Sequence, residues 1–320
     1  MDEDVSMKLP AKFLAIFTVC FGLSFLTADA RAQANASAVD HTLSAADGWP
    51  IHITYFPSSK GKEAPVVILI PSAEGIEDSA SRTRKVWESM AKVLQKKDFA
   101  VVTVDLRKHG ESVPDVEESE REKYTKLGTN DYALMATQDL EAVKDFLLKE
   151  HQNEKLNIRK LGIAAAGSSC MVASAFTLSD WLKKPWPDAP TLAARTPKGQ
   201  DVRAIMMLSP RSPVRGINTT AITRGIADPS KGIAVNVYYN SSDRSEEKSA
   251  QSVFKFLELK NTTDAARKIV GEAGDKKYTA EGFLLDKAKT TMEQNIADFF
   301  DAYVKQREDP WKSRTSPLYQ

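Results

Sequence analysis

Residues 104–112 read Val104-Asp105-Leu106-Arg107-Lys108-His109-Gly110-Glu111-Ser112. The run Ala100 to Val104 leads into this stretch and is wholly apolar and β-branched but for Thr103 and its first alanine, the pattern of a strand buried on both faces. It breaks abruptly into Asp, Arg, Lys and His around one glycine, so a central strand must end here in a charged turn. Working outward, Val66 to Ile70 is a second buried run, and Val86, Met90, Val93 and Leu94 mark a helix between the two. Downstream, strand-like runs recur at Leu161 to Ala166, Ala204 to Leu208, Ile233 to Tyr239 and, shorter, Lys268 to Val270. Helical periodicity lies between and after them. Ala136, Leu140, Val143 and Leu147 pattern a helix over 131–150, a second runs from Ser169 to about Leu178, and a third covers Val253 to Leu259. Met292, Ile296, Phe299, Phe300 and Tyr303 pattern a closing helix. Ala46-Asp47-Gly48 sits between Thr42-Leu43 and Ile51–Tyr55 as a hairpin turn. Strands alternating with helices predict an α/β fold, a three-layer sandwich with a mostly parallel sheet of eight strands and an antiparallel hairpin at its start.

The first 34 residues are read apart from this fold. Lys8 and Lys12 precede an apolar run from Phe13 to Leu26, and small residues follow at Ala28, Ala30, Ala32 and Ala34. That order is a basic region, an apolar region and a cleavage site, so residues 1–34 are expected to be a signal peptide cut after Ala32 or Ala34. The apolar run is short of the ~20 residues a membrane span needs. The mature chain, 35–320, then reads as one domain without a span, exported to a periplasm, cell envelope or medium. Cys20 leaves with the leader and Cys170 remains alone, so no intrachain disulfide is expected. Apolar residues make up 42% and charged residues 27% of the chain, and the formal net charge is +1, a balance that argues against nucleic-acid binding. No G-x-G-x-x-G or G-x-x-x-x-G-K-[ST] loop occurs and no His/Cys/Asp/Glu set has ligand spacing, so neither a nucleotide cofactor nor a metal is expected.

The stretch Asp105 to Ser112 resembles the D-x-R-G-H-G-x-S sequence that follows the fourth strand of many α/β hydrolases, with Lys108 the one departure. The helix around Asp139-Leu140-Glu141-Ala142-Val143 and the strand at Leu161-Gly162-Ile163 are similar to the elements that lead to the nucleophile of that family, and the element order matches over nearly the whole mature chain. The likeness is nearest to the dienelactone-hydrolase and esterase branches. It implies a Ser–His–Asp triad on the strand ends. Gly167-Ser168-Ser169-Cys170-Met171 is similar to the family's G-x-S-x-G elbow, which makes Ser169 the candidate nucleophile, with Met171 in place of the second glycine. Cys170 would supply one oxyanion N–H. The second would come from the loop Pro71-Ser72-Ala73-Glu74-Gly75, through Ser72 or Ala73, although Glu74 brings a negative charge there. Asp243, after the seventh strand, takes the acid's place.

Each residue also has a bland reading. Ser169 could be a helix cap, Asp243 the N-cap of a helix with Glu246 three residues on, and Cys170 an inert buried thiol. Trp181 and Trp186, with the prolines around them, could cap the site or simply pin a surface loop. The base is missing from its place: Gly271 to Tyr278, after the last strand, holds no histidine. The four histidines, His41, His52, His109 and His151, all precede the elbow. Without a base a serine hydroxyl is a poor nucleophile at neutral pH. His109 on a strand end, or Lys276 or Lys277, could substitute. Three readings follow: a catalytically impaired or non-catalytic relative that binds a small ligand or a partner, a serine hydrolase with an unusual base, and an interaction protein with a filled cleft. The sequence leaves the ligand and the oligomeric state open.

Overall fold

The computed structural model describes residues 37–73, 83–258, 268–273, 278–285 and 289–319. The expected leader over 1–34, Glu74 and Gly75 of the oxyanion loop, and Lys276 and Lys277 lie outside them.

Eight strands form one sheet: β1 (Val39–Ser44), β2 (Pro50–Phe56), β3 (Val66–Ile70), β4 (Ala100–Val104), β5 (Leu161–Ala166), β6 (Val202–Leu208), β7 (Ala234–Asn240) and β8 (Lys268–Ala273). Their spatial order is β1-β2-β4-β3-β5-β6-β7-β8. The β1–β2 and β2–β4 pairs are antiparallel, and all pairs from β3 to β8 are parallel. Side chains alternate across the central strands as a period of two requires. Val66, Ile68 and Ile70 enter one core, whereas Val67 and Leu69 enter the other.

The helices are α1 (Glu88–Lys96), α2 (Arg121–Thr125), α3 (Asp131–Leu134), α4 (Leu140–Gln152), α5 (Ser169–Leu182), α6 (Thr219–Ile226), α7 (Arg244–Glu258) and α8 (Lys289–Phe300). Helices α4, α5, α6 and α7 bury Leu147, Phe176, Ile226 and Val253 against the first face. Helices α1 and α8 bury Leu94 and Ile296 against the second. The result is the α/β/α sandwich with an N-terminal hairpin that the pattern predicts. Among the described residues no helix is long and apolar enough to cross a membrane.

Some boundaries differ from the periodicity. The helix expected over 131–150 is interrupted by a π-turn at Met135–Asp139. Within that turn Asp139 is fully buried and takes the guanidinium of Arg107, Nε at 2.8 Å and Nη2 at 2.7 Å, and the Arg107 backbone N–H at 2.9 Å. A tertiary partner therefore breaks the regular ladder, where local pattern showed an unbroken apolar face. Burial pushes the Asp139 carboxyl up, against the pull of Arg107. Helix α7 begins at Arg244 rather than near Val253, and α6 carries too few apolar residues for periodicity to show it.

The charged turn after β4 is a buried network. Asp105 accepts from the Arg84 backbone N–H at 2.6 Å and from Arg84 Nη1 at 2.5 Å. Ser112 Oγ donates to Asp105 O at 2.6 Å and accepts from the His52 N–H at 2.7 Å, which ties the turn to the hairpin. Gly110 has φ +51°, and a Cβ there would fall on the Asp105 carboxylate. Lys108, the residue that departs from the resemblance, has φ +68°, a left-handed conformation better suited to glycine. Its Nζ reaches Asp131 at 2.9 Å and Lys126 O at 3.0 Å, bonds that hold the following loop and that glycine could not make.

Candidate active site

In a parallel sheet the strand ends converge on one edge, and loops there can bring together residues far apart in sequence. At this edge β5 stops at Ala166 and α5 starts at Ser169, leaving two residues to turn the chain. The residue with left-handed backbone is Gly167, φ +54°. Ser168 follows with φ −65°, ψ −27°, already helical. Ser169 is the first residue of α5, fully buried, and its Oγ donates to Pro71 O at 2.6 Å. The hydroxyl thus binds the loop after β3 rather than an imidazole. Gly167 holds the corner of the turn: its N–H donates to Leu208 O at 2.9 Å, and its carbonyl accepts from Arg211 N at 3.2 Å and Cys170 N at 3.3 Å.

The other expected residues are placed as follows. The Cys170 N–H is taken up by Gly167 O within the turn, and its buried thiol lies 3.2 Å from Ala165 O. Asp243 is exposed and caps α7: its Oδ1 accepts from Ser245 N at 2.9 Å and Glu246 N at 3.1 Å. Two of the orphan amides of the first helical turn are satisfied in this way, as a capping aspartate does. Glu246 turns back to accept the Asn240 N–H at 2.8 Å, and burial pushes its carboxyl above the usual range. The Nδ1 of His109 lies 2.9 Å from Arg107 O, inside its own turn. Ala73 is buried, and the Ser72 N–H donates to Oε1 of Glu281.

Glu281 had no part in the reading of the sequence. It lies in a short helical turn, Ala280–Leu284, that follows β8, is itself buried, and comes three residues after the stretch Gly271 to Tyr278 in which the resemblance implies a histidine. The turn is held at a second point, where Ala280 N donates to Ser209 Oγ at 2.8 Å. A carboxyl oxygen on the Ser72 amide occupies a donor that an oxyanion hole needs vacant. The pairing spans 209 residues, so no local signal could have found it. Gly167 was within reach of sequence reasoning. The strand over Leu161 to Ala166 makes the next residue the turn, and Ala165 and Ser169 are the small residues two before and two after it.

A pocket of about 540 Å³ opens beside the turn, lined among others by Arg211, Asp243, Glu246, Ser249 and Thr279. The tryptophans are at the opposite edge. Trp181 Nε1 donates to Val202 O at the start of β6, and Trp186 stacks on Tyr319 at 5.0 Å, so their segment does not cap the elbow. Among the described residues no group of three or more His, Cys, Asp or Glu could hold a metal ion.

This three-layer fold, with its elbow at the end of β5, is that of the α/β hydrolases. A dienelactone hydrolase from Anabaena variabilis superposes with a TM-score of 0.54 at 14% identity, covering 84% of this chain and 98% of its own. An esterase from Pyrococcus furiosus gives 0.56 at 14% identity over 84% and 91%. One of two fungal esterases from Rhizomucor miehei gives 0.51 at 10% identity over 86% of each chain. These likenesses show the fold alone. No family model matches the sequence, and no curated protein matches it.

Proposed function

We propose that this protein is an exported, non-hydrolytic member of the α/β-hydrolase fold that binds a small polar ligand beside its elbow. One observation carries the proposal: the left-handed residue between β5 and α5 is Gly167, which has no side chain to attack a substrate. Ser169 lies two residues further on, its hydroxyl engaged with Pro71 O, and among the described residues no base sits on it. Glu281 on the Ser72 amide argues in the same direction, since it takes a donor that an acyl-transfer oxyanion would need. The open pocket lined by Arg211, Glu246 and Ser249 supports binding over a wholly filled cleft, and its charged and hydroxyl lining suits a polar ligand. Export rests on the leader-like residues 1–34, and amino-terminal sequencing of the mature protein tests it, with a start at Gln33 or Asn35 expected.

The test of chemistry is labelling with a fluorophosphonate, read by mass spectrometry, alongside turnover of a panel of short-chain aryl esters. Neither adduct nor turnover is expected from the folded protein. Stoichiometric modification of Ser169, abolished in Ser169→Ala, would overturn the proposal and establish an activated serine.

A further inference from the structure

At the opposite edge of the sheet a second cavity, about 270 Å³, is lined by seven basic side chains and, among the described residues, by no carboxylate. Arg159 and Arg203 come from the starts of β5 and β6, and Lys312 and Arg314 from the carboxy-terminal segment. The loop after α5 adds Lys183, Arg195 and Lys198. The length of β5, 6 residues at ~3.3 Å each, separates this cavity from the elbow by about 20 Å.

Part of this charge is neutralised from behind. Lys183 pairs with Glu141 at 2.5 Å, and Arg203 and Arg159 share Asp309 at 3.1 and 3.8 Å. Arg314 pairs with Asp201, but Asp201 also serves the buried Lys144 at 2.9 Å. The remaining three cations end on neutral groups. Arg195 Nε donates to Ala189 O at 3.0 Å, Lys312 Nζ to the carbonyls of Ala193 and Arg195 at 3.2 Å each, and Lys198 Nζ sits 3.4 Å above the centre of the Trp186 ring. The Arg314 side chain is only 5% exposed, yet its buried Nε has no acceptor among the described residues. Converging like charges also repel one another unless an anion sits between them. Arg203 is held below the usual guanidinium range, first by burial and then by Arg307 and Arg159, with Asp309 opposing.

We propose that this cavity is a binding site for a compact phosphoryl group, either free phosphate or pyrophosphate or the phosphate of a small ester. Three cations without a carboxylate partner among the described residues favour a group with more than one negative charge on adjacent oxygens, and guanidinium forks match phosphate oxygens in pairs. The volume lies just below the usual range of small-molecule sites, which suits such a compact group.

The test is calorimetric titration of the mature protein with pyrophosphate, phosphate, glycerol phosphate and citrate at constant ionic strength, repeated on Lys198→Gln and Lys312→Gln. Saturable binding of at least one phosphoryl probe is expected, with citrate weaker. Each variant is expected to weaken it by about tenfold, the loss of one charge-assisted contact of ~1.4 kcal/mol. Lys198 is exposed, so its variant keeps the fold and isolates the charge. Pyrophosphate binding above that of glycerol phosphate would identify a free anion as the occupant, and the reverse order an ester. No saturable heat at millimolar concentrations, citrate bound as tightly as the phosphoryl probes, or equal affinity in both variants and the parent would overturn the site.

Discussion

Lys144 lies on α4 with its side chain wholly buried between two carboxylates, Asp180 at the end of α5 and Asp201 just before β6. Burial alone would push its ammonium down, but Asp201 and Asp180 more than offset this and hold it above the usual lysine range. Arg314 completes the cluster through Asp201, so two cations balance two anions in the interior. Replacing Lys144 by Met keeps most of the volume and strands two carboxylates on one guanidinium. Breaking a buried pair by removing one partner costs about 3–5 kcal/mol. With a urea m-value near 3 kcal/mol/M, expected for a chain this long, the midpoint should fall by about 1–2 M. Adding Asp180→Asn restores the charge balance, and an amide oxygen can still accept the Asp201 N–H that Asp180 Oδ2 now takes at 2.7 Å. The double variant should therefore recover part of the loss, giving a coupling energy above about 1 kcal/mol in the mutant cycle. Urea unfolding of the four proteins measures it. A loss below about 1 kcal/mol for Lys144→Met, or strict additivity of the two substitutions, would refute the balanced-cluster argument. The cluster also bears on binding, because Asp201 positions Arg314 in the wall of the basic cavity.

Two further predictions concern other parts of the fold. Gly110→Ala should destabilise by ~2 kcal/mol or more, since it adds left-handed strain to a Cβ lying on the Asp105 carboxylate and displaces the Arg84 pair; a thermal melt equal to that of the parent would sink this account. His151 is buried, with Nε2 2.9 Å from Lys312 O and the ring stacked on Trp311, and burial lowers its pKa from 6.5. The unfolded chain then binds the extra proton first, so stability is complete above pH 6.5 and declines as pH falls from there towards the folded-state pKa. Imidazole NMR shifts against pH should show protonation of His151 below 6.5, and a midpoint at or above that value would contradict the assignment.

What the sequence determined by itself was the architecture. Each strand of the central sheet is a continuous apolar run because both its faces are covered, and each major helix shows its buried stripe, so the alternation of periods two and 3.6 is written locally. The charged turn from Asp105 to Ser112 was legible for the same reason: its bonds are made largely within the turn and to neighbouring elements. The site was legible only in part. The motif-like spacing of Gly167 and Ser169 drew attention to the serine, whereas the backbone puts the left-handed corner at the glycine directly after the strand. Asp243 satisfies the helix-cap pattern in its own sequence, and the structure uses it there. The carboxylate of Glu281 on the Ser72 amide and the convergence of Arg159, Lys198 and Lys312 around one cavity belong to the tertiary structure alone. Periodicity records which side of an element is buried, but not which loops from distant elements meet at a sheet edge, because that depends on strand order and register, which link residues through space rather than along the chain.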